Sequence, residues 1–147
     1  MKKILVILLA AIIPLALCSC AIFAIKELNE YSYYSDVSNY ESIRATVDEI
    51  HYKDDESRII INVSDIEAPS TYDSSFRIKG ANYNVVIENG IMDKLAEGDE
   101  IEIVSAPAYF GDGYIYPIVS LTVGDEELLS FDVGVENLKS TFFMGLG

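Results

Sequence analysis

The sequence predicts a small, mainly β domain that follows an N-terminal membrane segment. Three observations indicate this fold class: an uncharged run at residues 4–25, alternation of apolar and polar side chains from residue 43 onward, and two short stretches with helical spacing. The chain has 147 residues, which leaves room for one domain after the membrane segment.

The first element is the uncharged run ILVILLAAIIPLALCSCAIFAI, which follows Lys2 and Lys3 and is closed by Lys26. A helix of this length can span a hydrocarbon layer of roughly 30 Å, and a charged start with an apolar centre is also typical of an export signal. We therefore assign residues 1–26 to a transmembrane anchor or a signal peptide. We expect the N-terminus to be cytoplasmic or cleaved, and the domain to face the extracytoplasmic side of the cell membrane.

Residues 17–20, LCSC, resemble the lipobox of bacterial lipoproteins. Leu17 and Ser19 fit that pattern, whereas Cys18 is an unusual middle residue. The resemblance implies lipidation of Cys20, which would become the mature N-terminus. An uncleaved anchor and a lipoprotein both remain open, and a soluble secreted product is a third alternative.

Residues 27–147 carry all 24 acidic residues but only seven basic ones, which gives this part of the chain a net charge of −17. A negative field repels phosphate backbones, so nucleic acid is not an expected partner. Both cysteines lie within the apolar run, so the domain has no disulfide and no thiolate metal ligand.

Residues 27–42 are polar and rich in tyrosine, and they follow no clean structural period. We interpret them as a tether. Tyr31, Tyr33 and Tyr34 fit either an aromatic belt at the membrane interface or a solvated linker.

The domain itself, residues 43–147, begins with a hairpin. Residues 43–52 alternate but change phase at Asp48 and Glu49, which predicts a β-bulge there. After a charged turn, residues 58–64 alternate again and form the second strand.

Residues 74–80 and 82–89 also alternate and predict strands, with Gly80 as a kink or bulge between them. Residues 90–98 have helical spacing and end in a glycine, which predicts one short helix. The next strand includes residues 101–103.

Residues 114–123 predict a further strand, in which Pro117 implies an edge or a bulge. A Gly-Asp turn then leads into residues 126–131 and makes a second hairpin. Residues 133–143 predict a short amphipathic helix that caps the sheet.

This element order, with a helix between the third and fourth strands, resembles the OB-fold, a five-stranded barrel. The resemblance covers residues 43–123 and includes GDEIEIV at 98–104, where the fourth strand starts. The whole chain is similar in layout to membrane-anchored or lipoprotein-type extracytoplasmic domains of bacteria. An SH3-like barrel and a small β-sandwich are alternatives.

The residue types favour neither catalysis nor metal binding. His51 is the only histidine, no nucleophile motif accompanies it, and we expect it on the solvent side of a strand. One imidazole without thiolates does not make a zinc site, and the acidic turns at 54–56 and 125–127 lack the spacing of a calcium loop. We therefore expect no metal and no cofactor.

The candidate binding site is the loop between the fourth and fifth strands, around a Gly-Asp-Gly turn. Its candidate contact residues are Tyr109, Phe110, Asp112, Tyr114 and Tyr116. OB-like barrels use this loop among others for binding, and aromatic rings suit stacking on a sugar or packing into a protein groove. The alternative is that some of these rings point into the core.

The sequence thus predicts a non-catalytic binding or accessory module whose partner is an envelope protein or a wall polymer. One alternative is a hydrolase of envelope carbohydrate that uses a carboxylate pair. A second alternative is an OB-type nucleic-acid binder, which the negative charge disfavours.

Overall fold

The computed structural model describes residues 2–107 and 115–145. The helices are α1 Lys2–Ser35, α2 Ala81–Glu88, α3 Ile91–Lys94 and α4 Phe131–Gly145, with short 3₁₀ helices at Val37–Asn39 and Asp54–Glu56. The strands are β1 Glu41–Lys53, β2 Arg58–Glu67, β3 Ser75–Lys79, β4 Glu100–Ser105, β5 Ile115–Pro117, β6 Ser120–Val123 and β7 Glu126–Leu129.

Within the described residues, the seven strands form one sheet in the order β5-β3-β2-β1-β4-β6-β7. Strands β3 and β5 run parallel, and the other described neighbours run antiparallel. A mainly β fold between an N-terminal apolar helix and a C-terminal helix is therefore confirmed. The sheet is not closed into a barrel, so the predicted OB-like closure is not established by this topology.

The edge strand β5 leads directly into β6, which lies beside the other edge strand β7, because only Ile118 and Val119 separate β5 from β6. The Ile118 N–H donates to the Arg77 carbonyl of β3 at 2.8 Å, whereas the Val119 N–H donates to the Val104 carbonyl of β4 at 3.0 Å. Both side chains are buried.

The core lies on the inner face of the sheet, as the alternation of apolar residues predicts. The largest fully buried side chains there are Phe76, Ile43, Ile59, Ile61, Ile78, Ile91, Ile101, Ile103, Ile118, Leu121, Leu128 and Leu129. Burial of each such side chain contributes about 1.5–3 kcal/mol relative to exposure. The pairing of β1 with β2 shifts register between Val47 and Glu49, which confirms the predicted bulge.

The strand predicted at residues 82–89 is wrong, because residues 82–88 of this segment belong to helix α2. Gly80 adopts φ 62° and ψ −132°, a conformation that glycine tolerates and other residues avoid, and it ends β3 there. Asn82 and Val86, four residues apart, are both buried on one helical face. The helix predicted at 90–98 is reduced to the single turn of α3.

Helix α4 confirms the amphipathic helix predicted at residues 133–143, and its side chains Val135 and Leu138 are buried. Gly134 sets how closely α4 approaches the sheet. A Cβ atom at this position would lie 1.8 Å from the Val119 carbonyl oxygen. Asn82 of α2 donates its Nδ2–H to the Gly134 carbonyl at 3.0 Å, so α2, α4 and the β5–β6 connection meet at this glycine.

The segment interpreted as a tether, residues 27–42, is helical as far as Ser35 and extended from Glu41 onward. Asn39 ends the helix by donating its Nδ2–H to the Tyr33 carbonyl at 2.9 Å. Tyr34 is only 4% exposed and packs in a second apolar cluster with α4. Helix α1 therefore passes directly from the apolar run into contact with the domain.

Candidate binding surface at the base of the aromatic loop

Four of the five candidate contact residues, Tyr109, Phe110, Asp112 and Tyr114, lie outside the described residues. Their binding role stays a prediction. The structure does describe both flanks of this loop, which are the end of β4 up to Pro107 and the start of β5 at Ile115.

The two flanks are joined to each other and to helix α1. The Ser105 hydroxyl of β4 donates to the Pro117 carbonyl of β5 at 2.7 Å, and Ser105 is fully buried. On the first flank, the Tyr33 hydroxyl of α1 donates to the Pro107 carbonyl at 2.7 Å. The base of the loop is thus fixed beside the end of helix α1.

Tyr116, the fifth candidate, lies on the second flank and is only 6% exposed. Its ring packs edge-to-face on Tyr72, with ring centroids 4.9 Å apart, and lies 5.3 Å from the ring of Phe76. Its hydroxyl oxygen accepts a hydrogen bond from the Asp73 backbone N–H at 3.1 Å. The Tyr116 ring is therefore part of the core and offers little surface to a ligand.

A carboxylate is held next to this aromatic cluster. Glu41 Oε1 accepts from the Ser70 hydroxyl at 2.6 Å, and Oε2 accepts from the Tyr72 hydroxyl at 2.7 Å. Burial opposes ionisation of Glu41, but hydrogen bonds from the side chains of Ser70 and Tyr72 and from the Ser70 backbone outweigh it and lower the pKa of the carboxyl.

The neighbouring phenols shift in the opposite direction. Burial, followed by the hydrogen bond to Glu41, raises the pKa of Tyr72. Burial also raises the pKa of Tyr40, whose hydroxyl donates to the Tyr34 carbonyl at 2.7 Å. The Tyr72 hydroxyl is therefore a protonated donor to the Glu41 carboxylate, and together with the Ser70 hydroxyl it ties the chain between β2 and β3 to the start of β1.

The outer face of the sheet has shallow depressions around Arg44. One, of about 240 Å³, is lined by Arg44, Glu100, Ile101, Glu102, Thr122 and Gly124. Arg44 Nε lies 3.7 Å from Glu100 Oε1, so the acidic groups here surround a cation.

The remaining residues singled out by the sequence lie apart from this surface. Cys20 is exposed on α1 within the apolar run, as expected for a membrane segment. His51 is exposed on β1, as predicted, with Nε2 3.0 Å from Glu49 Oε2. Among the described residues, no group of three or more His, Cys, Asp or Glu side chains is arranged to hold a metal ion.

Sequence reasoning missed Glu41, Ser70 and Tyr72. These residues carry no motif, and their hydrogen bonds form only because the chain between β2 and β3 folds back across the start of β1. Tyr33 belongs to the tyrosine-rich segment that the sequence did single out.

Within residues 2–107 and 115–145, α1 is the one helix long and apolar enough to cross a membrane, and none of its apolar window is buried against the domain. Fold and site together define a class, which is a β-sheet domain packed on the end of a long apolar helix. Comparisons with protein-family models, with curated proteins and with solved structures found no match for this chain.

Proposed function

We propose that this chain is a non-catalytic binding or accessory module, held at the cell membrane by α1 and exposed on the extracytoplasmic side. The observation that carries the proposal is the fixed base of the aromatic loop. Pro107 on one flank is bound by Tyr33, and Tyr116 on the other is packed between Tyr72 and Phe76.

A fixed base favours binding because the entropy of ordering the loop is partly lost before a ligand arrives. Residues 108–114 read YFGDGY after an alanine, so they combine aromatic rings with one acidic side chain. Such a composition suits an envelope protein groove or the face of a sugar ring in a wall polymer.

The membrane assignment is supported by the paired lysines before the apolar run and by the length of α1. Lipidation of Cys20 is the alternative form of the same anchorage. In that case the mature helix would start at Cys20, and the contacts of Tyr33 and Tyr34 would be unchanged.

We further propose that this domain has an OB-like barrel fold. The support is the position of α2 and α3 between β3 and β4, together with the connection of β5 to β6, which bonds to β3 at Ile118 and to β4 at Val119. The loop that precedes β5 is then the one that OB-like barrels commonly use.

The experiment is crosslinking in intact cells, followed by mass spectrometry of what is captured by the full chain and by a Tyr109→Ala, Tyr114→Ala double variant. Met92→Ala is the matched control, since Met92 is 51% exposed on α3. We expect a partner that the wild type and the control capture and the double variant loses. Equal capture by all three would contradict the loop as the contact surface, and binding of wall polymer in place of protein would identify the second class of partner.

A further inference from the structure

Helix α1 is covered along one face after it leaves the apolar run. Beyond Lys26, the side chains that are half-buried or buried include Glu27, Glu30, Tyr31 and Tyr34. Their spacing of i, i+3, i+4 and i+7 places them on one stripe of the helix. This stripe extends for about 10 Å, from the end of the apolar run to the end of the helix.

Helix α4 packs against α1. At its start, the ring of Phe131 lies 5.6 Å from Tyr40, a residue that follows α1. Further along, Val135 and Leu138 share an apolar cluster with Tyr34. The start of α4 therefore lies beside a residue that follows α1, and its next turns lie beside Tyr34 within α1, which is the order expected of two antiparallel helices.

The part of α4 that follows Leu138 is as long as the part of the covered stripe that precedes Tyr34. Leu138 to Gly145 is seven residues, or about 10 Å of helix, and Tyr34 to Glu27 is the same. The last turn of α4 then lies level with Glu27, next to the residue where the apolar run ends.

The composition of α4 changes along its length in the same direction. Its first half carries Asp132 and Glu136, whereas residues 137–147 contain no acidic residue, one basic residue at Lys139 and the run Phe-Phe-Met at 142–144. This is the reverse of the domain as a whole, which has a large excess of acidic residues. Phenylalanine is common on the apolar face of helices that lie at a membrane interface.

We propose that the last turn of α4, residues 142–145, lies at the lipid interface of the membrane that holds α1, so that the domain meets the lipid surface through two helices. The partner of this surface is the bilayer itself. The inference depends on the proposed membrane anchorage of α1, but it is independent of any ligand of the aromatic loop.

The test uses the absence of tryptophan from the sequence, which makes any introduced tryptophan the single indole in the chain. Three full-length variants, Phe23→Trp, Val133→Trp and Thr141→Trp, are reconstituted in vesicles that contain brominated phospholipids. All three positions are exposed. Val133 and Thr141 lie eight residues, or about 12 Å, apart on the same helix, so they form a matched pair.

We expect strong quenching of Phe23→Trp, clear quenching with a blue shift for Thr141→Trp, and an unquenched signal for Val133→Trp. Quenching of Phe23→Trp with equal, weak signals from the two α4 positions would overturn the interfacial α4 and leave the anchor in place. An unquenched Phe23→Trp would overturn the anchor and the inference together. Circular dichroism melts of each variant establish that it is folded before it is compared.

Discussion

Ile118 and Val119 are adjacent in the chain, yet they donate their backbone N–H groups to two strands that are not neighbours in the sheet, to Arg77 of β3 and Val104 of β4 respectively. These two residues thereby link β3 to β4, which β2 and β1 separate in the strand order. Because β3 and β4 cannot move apart here without breaking one of these two bonds, we expect this connection to open only when the whole sheet opens.

Hydrogen exchange tests this expectation. The amide protons of Ile118 and Val119 are predicted to exchange with the free energy of global unfolding, like those of core strands. The measurement is native-state exchange of the full chain in detergent or nanodiscs, with the edge residue Glu126 as a faster-exchanging comparison. Exchange of either amide through a low-energy local opening would contradict the role given to this connection.

Gly134→Ala is predicted to destabilise the protein. In an exposed helix, alanine stabilises by about 1 kcal/mol relative to glycine, but here the new Cβ meets the backbone of Val119. Because backbone cannot move aside as a side chain can, we expect a net loss of about 1–3 kcal/mol. Thermal unfolding followed by circular dichroism measures it, and Val133→Ala, at an exposed neighbour, is the control expected to stay within about 0.5 kcal/mol.

Tyr116 and the loop tyrosines are predicted to respond differently to truncation. Tyr116→Ala removes a buried ring and should cost about 3–5 kcal/mol, while Tyr116→Phe, which leaves the Asp73 N–H without its acceptor, should cost about 1 kcal/mol. The Tyr109→Ala, Tyr114→Ala double variant should leave the melting temperature nearly unchanged. A fall of many degrees in the double variant would show that its rings belong to the core.

Glu41 is predicted to make stability depend on pH in the acidic range. Its pKa is lowered in the folded protein, so its stabilising contribution is complete above the ordinary glutamate value and is lost as the pH falls through the lower folded value. The difference in unfolding free energy between the wild type and Glu41→Gln should thus be largest above about pH 5 and should shrink at lower pH.

Denaturant titrations at several pH values measure that difference. Tyr72→Phe removes one of the hydrogen bonds to the carboxylate, so it should reduce the pH dependence without abolishing it. A difference that stays constant from neutral to acidic pH would mean that the hydrogen bonds of Glu41 do not favour its ionised form.

Alternation along single strands could be predicted from the sequence, and so could the bulge of β1 and the apolar face of α4, because each depends on residues close together in the chain. Helix α2 could not. Val85, Val86 and Ile87 favour a strand by intrinsic preference, and the helix is selected by distant partners, which bond Asn82 to Gly134 and Asn89 to Leu128.

The candidate surface was likewise predictable from the sequence only in part. The aromatic composition of the loop was visible in the sequence, but the contacts at its base were not. Ser105 bonds Pro117 only once the sheet has formed, and Tyr33 bonds Pro107 only once α1 has packed against the sheet. The helical end of the supposed tether was missed for a related reason, since Tyr34 is stabilised in a helix by burial against α4.

The continuity of α1 into the packed domain affects how easily proteases could cut the domain from the apolar helix. Proteases that release surface proteins cut chain that is extended and easily unfolded, and exposed linkers beside the membrane usually provide it. Here the chain leaves the apolar run as a helix and is bound at Tyr33 and Tyr34 before it unwinds. For a chain anchored through α1 as proposed above, shedding at the membrane exit would require this junction to unfold first. We therefore expect the domain in the membrane fraction and not in the culture medium.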